Sequence, residues 1–237
     1  MLLTAFLGYV LVWGTDKCLI WLICFLPFSL SRVPAKNRIG PHNIDIQSVI
    51  IGNLLGDGWA EKRYNSSRFH LYMGSPNVEY LMWLHNFYAI RGYCSLNKPK
   101  ISKKVSKINN KIYFYYRFRT WSYSSFNWIY DLFYLSDGTK RVPSNIEELI
   151  TPLALAIWIM DDGGAHNSGM IISTYSFQLD EIKLLQAVFF NKFGLKSNLL
   201  KKQEGYIIYI PKNQLSLLHS IVLPYMHPSM LYKLKVT

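Results

Sequence analysis

The stretch TPLALAIWIMDDGG, from Thr151 to Gly164, decides the fold. Thr151 suits a helix N-cap, and Pro152 suits the first helical position. The apolar run that follows ends in two adjacent acids, and Gly163 and Gly164 read as the helix stop. Asp161 and Asp162 then lie at the negative end of the helix dipole, where each acid costs about 0.3–1 kcal/mol. Acids kept at such a place need something to compensate them.

An earlier stretch, SVIIGNLLGDGW from Ser48 to Trp59, has the same form: a short apolar helix closing on an acid and a glycine. Aligning Asp57-Gly58 with Asp162-Gly163 puts the two copies 105 residues apart. The downstream order also repeats. Strand-like segments cover 59–64 and 68–73 early and 170–175 late. Helical patterns cover 75–91 and 178–193. Hairpins follow at 98–108 with 111–121, and at 196–202 with 206–211, and last helices at 125–135 and 213–222. The expected fold class is therefore α+β: two pseudo-symmetric αββαββα halves forming a saddle of antiparallel sheets, with the two motif helices at the interface. The halves are expected at 41–136 and 151–237, joined by a connector at 137–150. Within the connector Asp137-Gly138 marks a turn, and Ser144 with Glu147 fits a capping box.

Gly52 and Gly56, four residues apart, share one helix face and expose backbone for close contact. The second motif has Ile157 and Asp161 at those positions, and its small residues are Ala154 and Ala156. The contact is expected to be asymmetric. If the helices pack side by side, their terminal acids converge. Divalent cations would relieve both the mutual repulsion and the two dipoles.

Composition narrows the partners. The 237 residues carry a net charge of +12, half are apolar and 16% are aromatic, so the chain is globular and suited to a polyanion. Cys18, Cys24 and Cys94 show no CxxC spacing, which argues against a disulfide framework or structural zinc and for a reducing compartment. No Ser-His-Asp order and no phosphate-cradling GxxxxGK[ST] accompanies the motifs, and the histidines are scattered, with only His70 on an expected binding face.

That face is legible in the hairpins. In KIYFYYRFRTW, Lys111, Tyr113, Tyr115, Arg117 and Arg119 alternate with Ile112, Phe114, Tyr116, Phe118 and Thr120, giving one cationic face and one core face. The partner strand carries Lys98, Lys100, Lys103, Lys104 and Lys107. Arg68, His70 and Tyr72 alternate with Phe69, Leu71 and Met73, and Arg63 ends the strand before. A β-ribbon of this kind fits the major groove of duplex DNA. The later strands are less basic, with Lys196, Asn198 and Thr174 as the candidate contacts.

The two motifs, at this spacing and with basic hairpins between them, resemble the paired signature of LAGLIDADG homing endonucleases of the single-chain, two-motif kind encoded in group I introns. YIIYI at 206–210 and LPYMHPSMLYKL at 223–234 resemble that family's closing strand, helix and tail. The resemblance implies a magnesium-dependent, site-specific double-strand DNA endonuclease that leaves staggered ends at a long target. It implies that Asp57 and Asp162 bind the catalytic Mg2+, with Gly56 and Asp161, one residue earlier in each motif, as the flanking candidates. It also implies that Lys140 and Lys233 stand near the scissile phosphates. The expected partner is double-stranded DNA, with no protein partner required. The rival reading is an RNA maturase that assists splicing of its own intron; a decayed reading frame and a membrane protein are further alternatives. TAFLGYVL, at residues 4–11, resembles part of a transmembrane helix of mitochondrial cytochrome b, so residues 1–40 read as an exon-derived or linker tail and the location as the mitochondrion.

Overall fold

The computed structural model describes residues 41–105 and 110–234, so the reading of residues 1–40 as a tail and the assignment of Lys107 lie outside the described residues. Helix α1 (Ile44–Leu55) opens the first half, with Asn43 as N-cap accepting from the Asp45 amide. Strands β1 (Trp59–Arg63) and β2 (Ser66–Gly74), helix α2 (Val78–Ala89), strands β3 (Ile101–Val105) and β4 (Ile112–Arg119), and helix α3 (Asn127–Phe133) follow. A one-turn helix, α4 (Ile146–Leu149), leads into helix α5 (Pro152–Asp162). The second half adds strands β5 (Gly163–His166) and β6 (Gly169–Ser173), helix α6 (Leu179–Phe193), strands β7 (Asn198–Lys202) and β8 (Gly205–Ile210), and helix α7 (Lys212–Val222). Two 3₁₀ segments, Leu223–Tyr225 and Pro228–Leu234, close it.

The strands form two antiparallel four-stranded sheets of identical topology, ordered β1-β2-β4-β3 and β5-β6-β8-β7. The register repeats as well. Trp59, His70 and Arg119 make one row of the first sheet; Gly164, Ile171 and Tyr209 make the matching row of the second. Helices cover one face of each sheet, where Phe69, Leu71, Met73, Met170, Ile172, Ile208 and Ile210 enter the core.

Helices α1 and α5 pack against each other more extensively than any other pair of elements. Both are apolar nearly all round, as a helix enclosed on every side must be. In α1 every residue from Ser48 to Leu55 is buried, and in α5 every residue from Ala154 to Asp161. Their contact follows the 105-residue offset. A methyl on Gly52 would meet Ile157 Cβ at 2.6 Å and the Ala154 carbonyl oxygen at 2.5 Å. One on Gly56 would meet Asp161 Cβ at 2.5 Å. Equivalent positions therefore face one another, glycine against a larger side chain. Ala154 takes part through its carbonyl, and Ala156 is buried.

The local expectations fare unevenly. Gly163 stops α5 as expected, serving as its C-cap, but in an extended conformation (φ −75°, ψ 154°) that leads straight into β5. Gly163 is required by crowding, since a Cβ there would lie 2.5 Å from the Ile159 carbonyl oxygen. The helix that does end on a left-handed glycine is α6, at Gly194 (φ 68°), and its capping box is Gln178 with Glu181. Ser144 and Glu147 form no capping box; Asn145 caps α4 without a side-chain bond. Thr151 behaves as expected, accepting from the Ala154 amide at 3.1 Å.

Candidate active site

Asp57 follows the end of α1 and Asp162 is the last residue of α5, so packing these helices side by side carries both acids to one place. The Asp57 charge acts on the Asp162 carboxylate. Burial raises the Asp162 pKa to about 7, with the Asp57 charge adding to the rise and Lys140 and Lys233 opposing it. The Trp158 indole N–H lowers it slightly; it lies close enough to act on the carboxylate but outside hydrogen-bond geometry. Asp57 has a face open to solvent, yet the protein around it still raises its pKa by desolvation, against the pull of Lys233 and Lys140.

The two lysines are anchored in matching ways. The turn before Lys140 is fixed by Gly138 (φ 84°) and by the Leu135 amide bonding to the Thr139 carbonyl at 2.9 Å. From there Lys140 Nζ donates to the Gly56 and Gly58 carbonyls at 3.0 and 3.1 Å. Lys233, carried by the segment Pro228–Leu234, donates to the Met160 and Asp161 carbonyls at 2.5 and 2.7 Å. Each ammonium thus sits at the C-terminal end of one motif helix, where a cation meets the negative dipole end and the unpaired carbonyls. Desolvation lowers both lysine pKa values while the three aspartates hold them up. An ammonium has three donors, so each lysine keeps one N–H beyond its two carbonyls.

Asp161 is engaged differently. It is buried, with Asn53 Nδ2 donating to one oxygen and the Tyr80 hydroxyl to the other, both at 3.0 Å. Burial and the Asp57 charge push its pKa far above the usual carboxylate range. The carboxylate belongs to a polar contact between the halves. The Gly56 carbonyl is held by Lys140. Asn53 and Tyr80 carry no signal in the sequence; Tyr80 reaches Asp161 from α2 across 81 residues.

The open face of the first sheet carries Arg63, Arg68, His70, Tyr72, Tyr115, Arg117, Arg119 and Lys104, as alternation required. Trp59 stacks on His70 with centroids 5.0 Å apart, and Tyr72 lies 4.7 Å from Tyr115. A cleft of about 360 Å³ is lined by Trp59, His70, Leu71, Arg117, Phe118 and Arg119. One acid organises this face. Glu61 accepts from Arg63, from Arg68 Nη2 at 2.6 Å and from His70 Nε2 at 2.9 Å. Partial desolvation would raise its pKa, but these three bonds outweigh it and hold the carboxyl at about 2. Glu61 is not among the residues expected at the site, although period-two alternation with Trp59 and Arg63 would put it on this face.

Other expected contacts fall elsewhere. Lys103 pairs with Phe114 and points to the opposite face from Lys104. Ile112 and Phe114, expected in the core, are 55% and 49% exposed; in this strand it is Tyr116 and Phe118 that pack against the core. Lys98, Lys100 and Lys111 precede their strands and are exposed, as is Lys196 before β7. Thr174 is not on the binding face: it is fully buried and its hydroxyl donates to the Tyr206 carbonyl at 2.7 Å. Asn198 is exposed at the start of β7. Among the described residues no helix is long and apolar enough to cross a membrane.

Residues 47–218 match the family model for LAGLIDADG DNA endonucleases. The chain belongs to that family. A cytochrome b mRNA maturase bI2 of Saccharomyces cerevisiae is 39% identical over 84% of this chain, which spans about half (49%) of that relative's length. A protein of the same name from Debaryomyces hansenii is 38% identical, with 86% of this chain and 79% of the relative covered. The intron-encoded endonuclease ai4 of Dictyostelium discoideum is 38% identical over 65% of this chain and 99% of its own length. Among solved structures, the homing endonuclease I-WcaI bound to its DNA recognition sequence aligns with a TM-score of 0.76, covering 89% of this chain and 96% of its own at 23% identity. That likeness establishes the two-sheet family fold.

Proposed function

We propose that this chain is a site-specific double-strand DNA endonuclease that acts at an intron insertion site and leaves staggered ends. One observation carries the reading: two carboxylates at the ends of two packed helices come together beside two backbone-anchored lysines, in a chain whose first sheet presents a cationic face. In this reading Asp57 and Asp162 hold Mg2+. The donor set fits a hard ion. The two carboxylates are oxygen donors that repel each other, a repulsion that a divalent cation would relieve. Magnesium tolerates few protein ligands because it keeps most of its waters. Bound there, it supplies Lewis-acid neutralisation of charge on the scissile phosphate. The chain's own residues do the rest. The sheets fix the duplex in register, and Lys140 and Lys233 point their remaining N–H groups at charge developing on the phosphate oxygens. Asp161 aligns the helices and binds no metal. Two half-sites in one chain need no protein partner.

The test is cleavage of an intronless copy of the host gene with and without Mg2+. We take a cytochrome b gene, in the mitochondrion, as that host; the relatives named as cytochrome b mRNA maturases support the gene. Asp57→Asn and Asp162→Asn are expected to abolish cutting and keep binding; cutting at parental rates by both sinks the assignment. A second reading, assistance to splicing of the chain's own intron RNA, is favoured by the relatives that carry the maturase name. Splicing that survives both substitutions would show the two activities to be separable.

A further inference from the structure

The two sheets share topology and register but not chemistry. On the open face of the first, His70 and Tyr72 pair with Arg119 and Arg117. The same positions of the second hold Ile171 and Ser173 opposite Tyr209 and Ile207, with Asn198 and Leu200 beside them on β7. Ile171, Leu200 and Tyr209 are half-buried, accessible but packed. Ile207 is fully buried yet stands apart from the main core that takes in Ile208 and Ile210, so it is covered from its own side of the sheet. The only basic side chains of these strands whose register places them on this face are His166 and Lys202, at its margins. A face with so few cations gains little from phosphate contacts, and its aliphatic surface has no hydrogen bonds to give to base edges. The apolar feature that a duplex offers in its major groove is the 5-methyl group of thymine.

We propose that the second sheet reads its half-site through thymine methyl groups, with Ile171, Leu200 and Tyr209 as the contact surface, while the first sheet reads its half-site by cationic and hydrogen-bonding side chains. The inference rests on the duplex-binding function proposed above and names what distinguishes the two half-sites. Cognate sequence on the second side must then carry thymines on either strand where these three side chains meet the groove.

Deoxyuridine removes the methyl and leaves every hydrogen-bonding group of thymine in place. The full-length chain is titrated with an exon-junction duplex in which thymine is replaced by uracil in one half at a time, and with a shuffled duplex of equal composition. Uracil in one half is expected to weaken binding about fourfold per contacted methyl, and in the other half by less than twofold. Ile171→Ala with Leu200→Ala is expected to bind the thymine and sensitive-half uracil duplexes equally. Arg117→Ala with Arg119→Ala is expected to keep the full uracil penalty. Equal effects from both halves, no effect from either, or a penalty unchanged in the Ile171/Leu200 variant overturns the proposal while leaving duplex recognition standing. Failure to prefer the junction duplex over the shuffled one overturns both.

Discussion

Replacing Gly52 by alanine tests the helix contact on which the site depends. Two effects oppose each other. Inside α1, alanine is favoured over glycine by about 1 kcal/mol. Against this, the new methyl would meet the Ala154 carbonyl oxygen at 2.5 Å and Ile157 Cβ at 2.6 Å. Neither atom sits at the end of a flexible side chain, so the helices must part. Overpacking of this kind costs about 1–3 kcal/mol, and backbone against backbone belongs at the upper end. The net expectation is a loss of about 1–2 kcal/mol. With a urea m-value of about 2 kcal/mol/M, the unfolding midpoint falls by about 0.5–1 M with m unchanged. Gly74→Ala is the control, because the nearest atom to its added methyl is at an ordinary 3.6 Å. Adding Ile157→Gly removes one of the two obstacles, so the double variant should be less destabilised than the sum of the singles. A Gly52→Ala protein as stable as the parent would refute the close packing of α1 on α5.

Glu61→Gln frees Arg63, Arg68 and His70 from their shared partner; binding to a shuffled duplex should tighten, and its dependence on salt concentration, read by fluorescence anisotropy, should steepen. The same substitution bears on acid stability. Folding depresses the Glu61 pKa from 4.5 to about 2, so its contribution is present above pH 4.5 and lost as pH falls towards 2, a slope that Glu61→Gln should flatten in acid titrations followed by circular dichroism. Asp162 has the opposite sign: its folded pKa, raised from 3.8 to about 7, makes the metal-free protein lose stability as pH rises through that window, and Asp162→Asn should remove this loss in chelator-treated samples. Asp161→Asn can still accept from Asn53 and donate to the Tyr80 oxygen while removing a buried carboxylate; metal-dependent cutting should persist, with unfolding midpoint equal or higher, and abolished cutting would make Asp161 part of the metal site. Lys233→Met strands the Met160 and Asp161 carbonyls, costing about 1–3 kcal/mol in denaturant titrations, and should stop cutting while leaving binding.

Long-period features of the sequence translated well into structure. The 105-residue repeat became two sheets of one topology, and the alternation of Arg68, His70 and Tyr72 with Phe69, Leu71 and Met73 became a binding face and a core face. Features set by tertiary crowding did not. Gly163 does end α5, as its place after the acids suggests, but only the nearby Ile159 carbonyl shows that crowding, not a left-handed turn, is what requires glycine there. Thr174 looked like a polar contact, but its hydroxyl satisfies a carbonyl 32 residues away, a bond no local pattern records. Lys140 and Lys233 follow from family resemblance, not from periodicity. Their carbonyl partners lie 84 and 82 residues away for one, 73 and 72 for the other.

The opposition of Gly52 to Ile157 and of Gly56 to Asp161 also bears on ancestry. Had the duplicated copies stayed alike, each would dock on its own twin as readily as on the other. Now a twin of the first half would set glycine against glycine and give up the contacts that Ile157 and Asp161 make. A twin of the second would press isoleucine on isoleucine and bury two carboxylates face to face. If the gene were severed in the connector, its products should find each other and ignore themselves: what began as a symmetric couple has become an exclusive one.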